Sequence, residues 1–372
     1  MIKIYVLIFW FIFQCNLLFA DHGPNRLWER KIEPYFTVHE DNYMGPFKVN
    51  VHSFGKKNAY EVGEIKKKNY DKYFDDKYNL ATIVKKDGKI IYARFNKQKK
   101  IDANTLIQGM SMSKTALSAV VASLKCSGLI ETLDDKVSKY SPTLANTPYK
   151  NVTIKNILQM NSGVTPLKEK HKKKMNRMAV GTKDYEEKSS VLNALLLLNE
   201  NIREQGKLSN YHTGDTFALS LLISDITNKP ASQIFYENIF LKWNKNNGLM
   251  HWISDKDGIT VSQAHLTMSP YDWSNFGEFI LDQMSSKTCI GNFFLEGLEN
   301  GVETIRENVK YGYLFWIYNV KKKPTIVMTG HGGFFNVLNQ KTNSVLTILS
   351  VDPGYKKGNL FNNISQISGK IK

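Results

Sequence analysis

The chain has 372 residues, 42% of them hydrophobic, enough to bury a sizeable core in one large domain or two intertwined ones. Its 50 Lys and Arg against 34 Asp and Glu give a formal net charge of +16. The lysines are dispersed (Lys66 to Lys68, Lys85-Lys86, Lys172 to Lys174, Lys321 to Lys323), with no aromatic interleaving and no nucleic-acid motif. That argues against a nucleic-acid partner and favours a solvated surface, suited also to electrostatic attraction toward an anionic cell envelope.

Residues 1–20 place one charge, Lys3, before an apolar run from Ile4 to Phe13 and close on Leu18-Phe19-Ala20. This order predicts a signal peptide removed after Ala20, and hence a periplasmic or secreted protein. An uncleaved segment would instead act as a membrane anchor. Gln14 before Cys15 argues against a lipoprotein. Residues 21–75 are polar, aromatic and irregular, and read as an N-terminal extension without an assigned role. Residues 80–95, "LATIVKKDGKIIYARF", predict a β-hairpin turning at Asp87-Gly88.

Residues 105–300 are mostly helical. Thr153 is predicted to cap a helix carrying Ile154, Ile157 and Leu158 on one face, with Gly163 as its stop. Two more helices are expected in "SVLNALLLLNENI" and "TFALSLLISDITNKP", the second ending at Pro230, with Asp215 as the cap of that helix. After residue 310 strand patterns return in "YGYLFWIYNV", "PTIVMTG", "FFNVL" and "SVLTILSVDP". Strands at both ends with helices between predict an α+β fold, an α/β sandwich. One antiparallel sheet would be built from both termini, with a helical region of about 130–300 inserted into a domain of residues 76–372. Beyond the leader two cysteines remain. Cys126 and Cys289 could pair in an exported protein, but Cys126 lies in an apolar helix, which favours a buried thiol.

The stretch "GMSMSKTALSAVVASLKCSGLI" (109–130) carries the chemistry. Ser111 and Lys114 are three apart, and so share one face of a helix. A serine hydroxyl needs a neighbouring base to become a nucleophile. At the start of a helix the backbone N–H of Ser111 is also free to help hold an oxyanion. Leu117, Val120, Val121 and Leu124 form the apolar face behind them. By itself Ser-x-x-Lys is a weak signal, equally the mark of a capping serine and a surface lysine. Gly-x-Ser-x-Gly, a His-Glu-x-x-His pair and a phosphate-cradling loop are all missing from the sequence, so no metal or organic cofactor is expected.

The context of that serine is more specific. The run from Ser111 to Val164, with Leu133-Asp134-Asp135, Tyr140-Ser141-Pro142 and Asn161-Ser162-Gly163, resembles the β-lactamase-related serine hydrolases. These include class C β-lactamases, D-alanyl-D-alanine carboxypeptidases, family VIII esterases and 6-aminohexanoate-dimer hydrolases. The resemblance extends over residues of about 78–352 and implies a β-lactamase/transpeptidase-like fold. It also implies that Tyr211, in "GKLSNYHTGDTFALS", is a proton carrier beside Lys114, with Thr213 where some relatives have asparagine. The family's Lys-Thr-Gly or His-Thr-Gly element is matched to His331-Gly332-Gly333, and the N–H of Phe334 is then the second oxyanion donor. On this matching Gly332 replaces a hydroxyl that often contacts a substrate carboxylate. The expected activity is an exported serine hydrolase acting on a small ester or amide. The alternatives are a β-lactamase or carboxypeptidase acting on peptidoglycan-type substrates, and a non-catalytic binder on the same scaffold.

Overall fold

The computed structural model describes residues 50–57, 59–164, 169–180, 190–198, 203–207, 209–244, 248–352 and 368–371. The leader expected at 1–20 lies outside them. The first elements are a strand, β1 (Asn50–Phe54), and a short helix, α1 (Lys68–Phe74). The hairpin expected at 80–95 forms as β2 (Asn79–Lys86) and β3 (Lys89–Phe95). Its turn residues Asp87 and Gly88 both have positive φ, 48° and 76°. That conformation matches the twist of a two-residue hairpin.

A two-residue strand, β4 (Ile107–Gln108), leads through the tight turn Met110–Met112 into α2 (Ser113–Cys126). The helical region follows as α3 (Ile154–Leu158), α4 (Glu169–Ala179), α5 (Val191–Leu195), α6 (Thr213–Thr227) and α7 (Ala231–Asn238). Thr153 caps α3 as expected, its hydroxyl accepting from the Asn156 N–H at 3.2 Å. Next come β5 (Met250–Ser254), β6 (Thr267–Met268), α8 (Pro270–Ser285) and α9 (Cys289–Glu299). The chain then returns to strands β7 (Val302–Glu303), β8 (Lys310–Tyr311), β9 (Trp316–Val320), β10 (Lys323–Gly330), β11 (Phe334–Asn339) and β12 (Ser344–Ser350).

The main sheet has the order β3-β2-β12-β11-β10-β9-β8-β7, antiparallel throughout. The two termini are joined where β12 pairs with β2, Ser344 opposite Lys86. Alternation sorts the side chains of each strand. Phe334 and Leu338 of β11 face the main core, whereas Phe335 and Val337 face an outer cluster with Tyr70 and Phe74 of α1. On the inner face α8 packs across β2, β11 and β12, and α9 bridges α8 to α2. Helix α2 is buried from Ser113 to Leu124 and is also held by α6 and α7.

Helix α3 ends at Leu158 with Gln159 as its C-cap, short of the stop expected at Gly163, and three further features depart from the sequence reading. A second sheet, β1-β5-β6-β4, is built partly from two-residue strands, too short to show alternation. Residues 50–75 are not a separate extension. Strand β1 pairs with β5, Ile65 bridges Ala93, and the Tyr60 hydroxyl donates to the buried Asp272 at 2.6 Å. Finally, Cys126 and Cys289 form a disulfide with Cα atoms 5.8 Å apart. Cys126 is the last residue of α2, at its partly exposed end rather than in its buried middle, so the thiol is within reach of the exposed first residue of α9.

Candidate active site

The serine turn is built by close approach. A Cβ on Gly109 would lie 2.0 Å from the Trp273 ring, so only glycine lets the chain pass. Its N–H donates to Leu266 O at 2.9 Å. Met110 then takes φ +50°, a costly left-handed conformation for a side-chain-bearing residue. This kink delivers Ser111 to the mouth of α2.

Lys114 follows one turn later and is 4% exposed. Its Nζ donates to Ser111 Oγ at 3.2 Å and to the carbonyl of Gln263. The same Nζ lies 5.0 Å from the centroid of the Tyr211 ring. The structure thus brings Ser111, Lys114 and Tyr211 together from two separate segments of chain. The neighbouring Ser113 is fully buried and committed. Its hydroxyl donates to Met110 O at 2.7 Å and accepts from the Leu266 N–H at 3.0 Å.

Tyr211 sits just before α6 in an aromatic corner. It stacks on Trp316 with centroids 5.4 Å apart and meets Tyr311 edge-on at 5.9 Å. Burial, with the nearby Tyr211 and Asp215, holds the Tyr311 phenol well above the ordinary range, so Tyr311 is a neutral wall. The cap of α6 is His212, not Asp215 as the sequence suggested: His212 Nδ1 accepts from the Gly214 N–H at 3.2 Å. The other ring nitrogen, Nε2, lies 3.1 Å from Asp215 Oδ1. Asp215 is wholly buried and accepts from Tyr149 and Ser162 at 2.9 and 2.6 Å. Thr213 is the first, buried residue of α6.

The segment 263–266 was missed in the sequence. It anchors Lys114 through Gln263 and locks both Gly109 and Ser113 through Leu266. Between them His265 adopts φ +75°. Burial, with a smaller push from the Lys114 charge, drives its imidazole down to about 4. Among the described residues its buried Nδ1 has no hydrogen-bond partner.

The strand lining the serine turn also differs from expectation. Gly330, the last residue of β10, is the glycine that abuts the turn: a Cβ there would lie 2.8 Å from Gly109 O and 3.0 Å from Met110 Cβ. Gly332 and Gly333 form the β10–β11 turn with φ +95° and +88°. Gly332 faces away, toward Ser350 O, and its carbonyl accepts from the Asp352 N–H at 2.9 Å. Met328-Thr329-Gly330 therefore occupies the strand position assigned from sequence to His331-Gly332-Gly333. His331 is exposed in the turn, and Phe334 is buried opposite Gly330 in the ladder. Met328 is buried with Ile326 on the inner face.

Among the described residues no cluster of His, Cys, Asp and Glu could hold a metal ion. Two surface cavities, of about 500 and 540 Å³, lie elsewhere, beside Trp243 and Glu278 and beside His52 and Gln233.

No curated protein sequence matches the chain. Among solved structures it resembles one from Bacillus anthracis assigned as a 6-aminohexanoate-dimer hydrolase, with TM-score 0.70 and 17% identity, covering 87% of this chain and 92% of that one. A penicillin-binding protein from Bacillus halodurans aligns with TM-score 0.62 and 13% identity over 82% and 99% of the two chains. A family VIII carboxylesterase aligns with TM-score 0.57 and 13% identity over 76% and 89%. At these identities the likeness establishes the shared fold. Residues 71–364 match the family model described as Beta-lactamase, which covers most of the chain, and the protein belongs to that family.

Proposed function

We propose that the protein is an exported serine hydrolase that cleaves small esters or amides through an acyl-enzyme. The observation that carries this reading is the 3.2 Å contact between Ser111 Oγ and Lys114 Nζ, with Tyr211 against the same amine. Ser111 Oγ attacks the carbonyl carbon while its proton passes to the Lys114–Tyr211 pair. The tetrahedral oxyanion is held by the Ser111 N–H and by a backbone N–H of the Gly330–Phe334 turn. The pair returns the proton to the leaving group as the C–O or C–N bond breaks. Water then adds to the acyl-serine, gives a proton to the pair, and releases the acid as Ser111 recovers its hydrogen.

A preference for substrates without a carboxylate beside the scissile bond rests on Met328 and not on Gly332. Gly332 faces away from the serine turn, so its missing hydroxyl decides nothing. Met328, uncharged, stands where the family element carries a cation, and a thioether cannot pair with a carboxylate. This favours esters and amides over β-lactams and D-alanyl-D-alanine peptides. Export is supported by the order of residues 1–20 and by the disulfide, which persists in oxidising compartments. The surplus positive charge suits retention at an anionic envelope.

The test is hydrolysis of 4-nitrophenyl butyrate beside a chromogenic cephalosporin. Turnover of the butyrate with higher kcat/KM, lost by ~10³-fold or more in Ser111→Ala, supports the reading. A faster cephalosporin would favour the β-lactamase alternative, and turnover of neither would favour the binder. A mature chain beginning at Met1 would contradict removal of the leader.

A further inference from the structure

The turn between β7 and β8 carries Arg306, an exposed residue whose guanidinium carbon lies 4.3 Å over the Trp316 ring. Trp316 stacks on Tyr211, with 27° between planes, and Lys114 Nζ sits against the Tyr211 ring. A chain of contacts, cation to ring to ring to cation, thus links the amine beside Ser111 to the exposed Arg306. Stacking on Trp316 restrains the plane of the guanidinium, so less freedom is lost when its fork takes an acceptor. Its Nη1 makes a long contact with the Tyr318 hydroxyl, at 3.5 Å. Among the described residues no carboxylate pairs with it; Glu303 on the same hairpin is taken by Lys310 at 2.9 Å. A restrained, unpaired guanidinium at the rim of a site is a ready receptor for a planar oxyanion.

We propose that Arg306 binds a substrate carboxylate set back from the scissile bond. The inference rests on Ser111 being the nucleophile and narrows the substrate class. Two aromatic rings separate Arg306 from the amine, through successive contacts of 5.0, 5.4 and 4.3 Å. A carboxylate next to the scissile bond would fall short of it. One on a flexible spacer of ~7–10 Å, the length of two to three extended residues, would reach. The favoured substrates are therefore esters or amides of chain-like acids ending in a free carboxylate.

The test uses the full-length mature protein and two matched ester series. One places a terminal carboxylate on the acyl chain (mono-4-nitrophenyl adipate and suberate), the other on the alcohol (butyrate esters of ω-hydroxy acids). Each carboxylate is compared with its uncharged methyl ester. In at least one series the carboxylate member should have kcat/KM higher by ~10-fold or more, carried by KM and weakened by salt. Arg306→Leu should bring that ratio to about one, and Arg306→Lys should restore only part of it. An unchanged ratio in Arg306→Leu overturns the proposal. So does an equal loss on charged and uncharged esters, which would mean that Arg306 only props Trp316 and Tyr211. If Ser111 is acylated but neither series shows a carboxylate preference, this inference alone fails. If Ser111 is not acylated, the underlying reading fails with it.

Discussion

The two ends of helix α2 are built on opposite plans. At its N-terminal end the chain is forced: Gly109 passes against Trp273, Met110 is left-handed, and a buried lysine follows. At its C-terminal end the helix is tied by the Cys126–Cys289 disulfide to α9, which packs on α8 and so on the main sheet. Strain is placed where the reactive groups are, and restraint at the far end of the same rod. A strained turn of this kind persists only when its surroundings over-determine it. Here the surroundings are the buried middle of α2 and the backbone of Leu266, which accepts from the Gly109 N–H and donates to the Ser113 hydroxyl.

This contrast can be broken from either end. The largest effect is expected at the strained end, where Lys114→Met should lower kcat/KM for a neutral ester by ~10²–10⁴-fold. Its circular dichroism should stay native, since methionine fills most of the same volume. Gly109→Ala should act on stability: a methyl driven into the Trp273 ring should cost ~1–3 kcal/mol or more, read as a lower denaturation midpoint. At the tied end, Cys126→Ser with Cys289→Ser should cost ~2–4 kcal/mol through the freed unfolded chain. The activity of the molecules that remain folded should be nearly unchanged. If the double serine variant instead lost activity at full stability, the restraint would belong to the site.

A smaller, pH-dependent effect sharpens the same contrast. His265 has a folded-state pKa depressed from an ordinary 6.5 to about 4. Between those values the unfolded chain binds the extra proton, so this contribution is complete above pH 6.5 and is lost as pH falls toward 4. The whole span is worth ~3–4 kcal/mol. His265→Gly should flatten stability between pH 7 and 5 relative to wild type and relieve the left-handed strain. Parallel pH profiles for the two proteins would show that His265 is not held neutral.

What the sequence revealed depended on how local the signal was. The β2–β3 hairpin, the Thr153 cap and the Ser111–Lys114 spacing are each written within a few residues, and all are found in the structure. The element on β10 was displaced because several glycines crowd residues 330–333, and only three-dimensional packing shows which one meets the serine turn. Gln263 acts through its carbonyl and Leu266 through its backbone, so their side chains announce nothing. The cap of α6 was assigned to the acidic residue nearby, whereas a histidine ring nitrogen fills it. The disulfide was masked by the apolar composition of α2, because composition does not show which end of a helix is exposed.

The central claim is that Ser111, and not the adjacent Ser113, is the nucleophile. The most direct measurement is to treat the folded protein with a fluorophosphonate and map the adduct by peptide mass spectrometry. A single stoichiometric adduct is expected on Ser111, absent from Ser111→Ala and present in Ser113→Ala wherever that variant folds. An adduct on Ser113, or labelling that survives in Ser111→Ala, would contradict it.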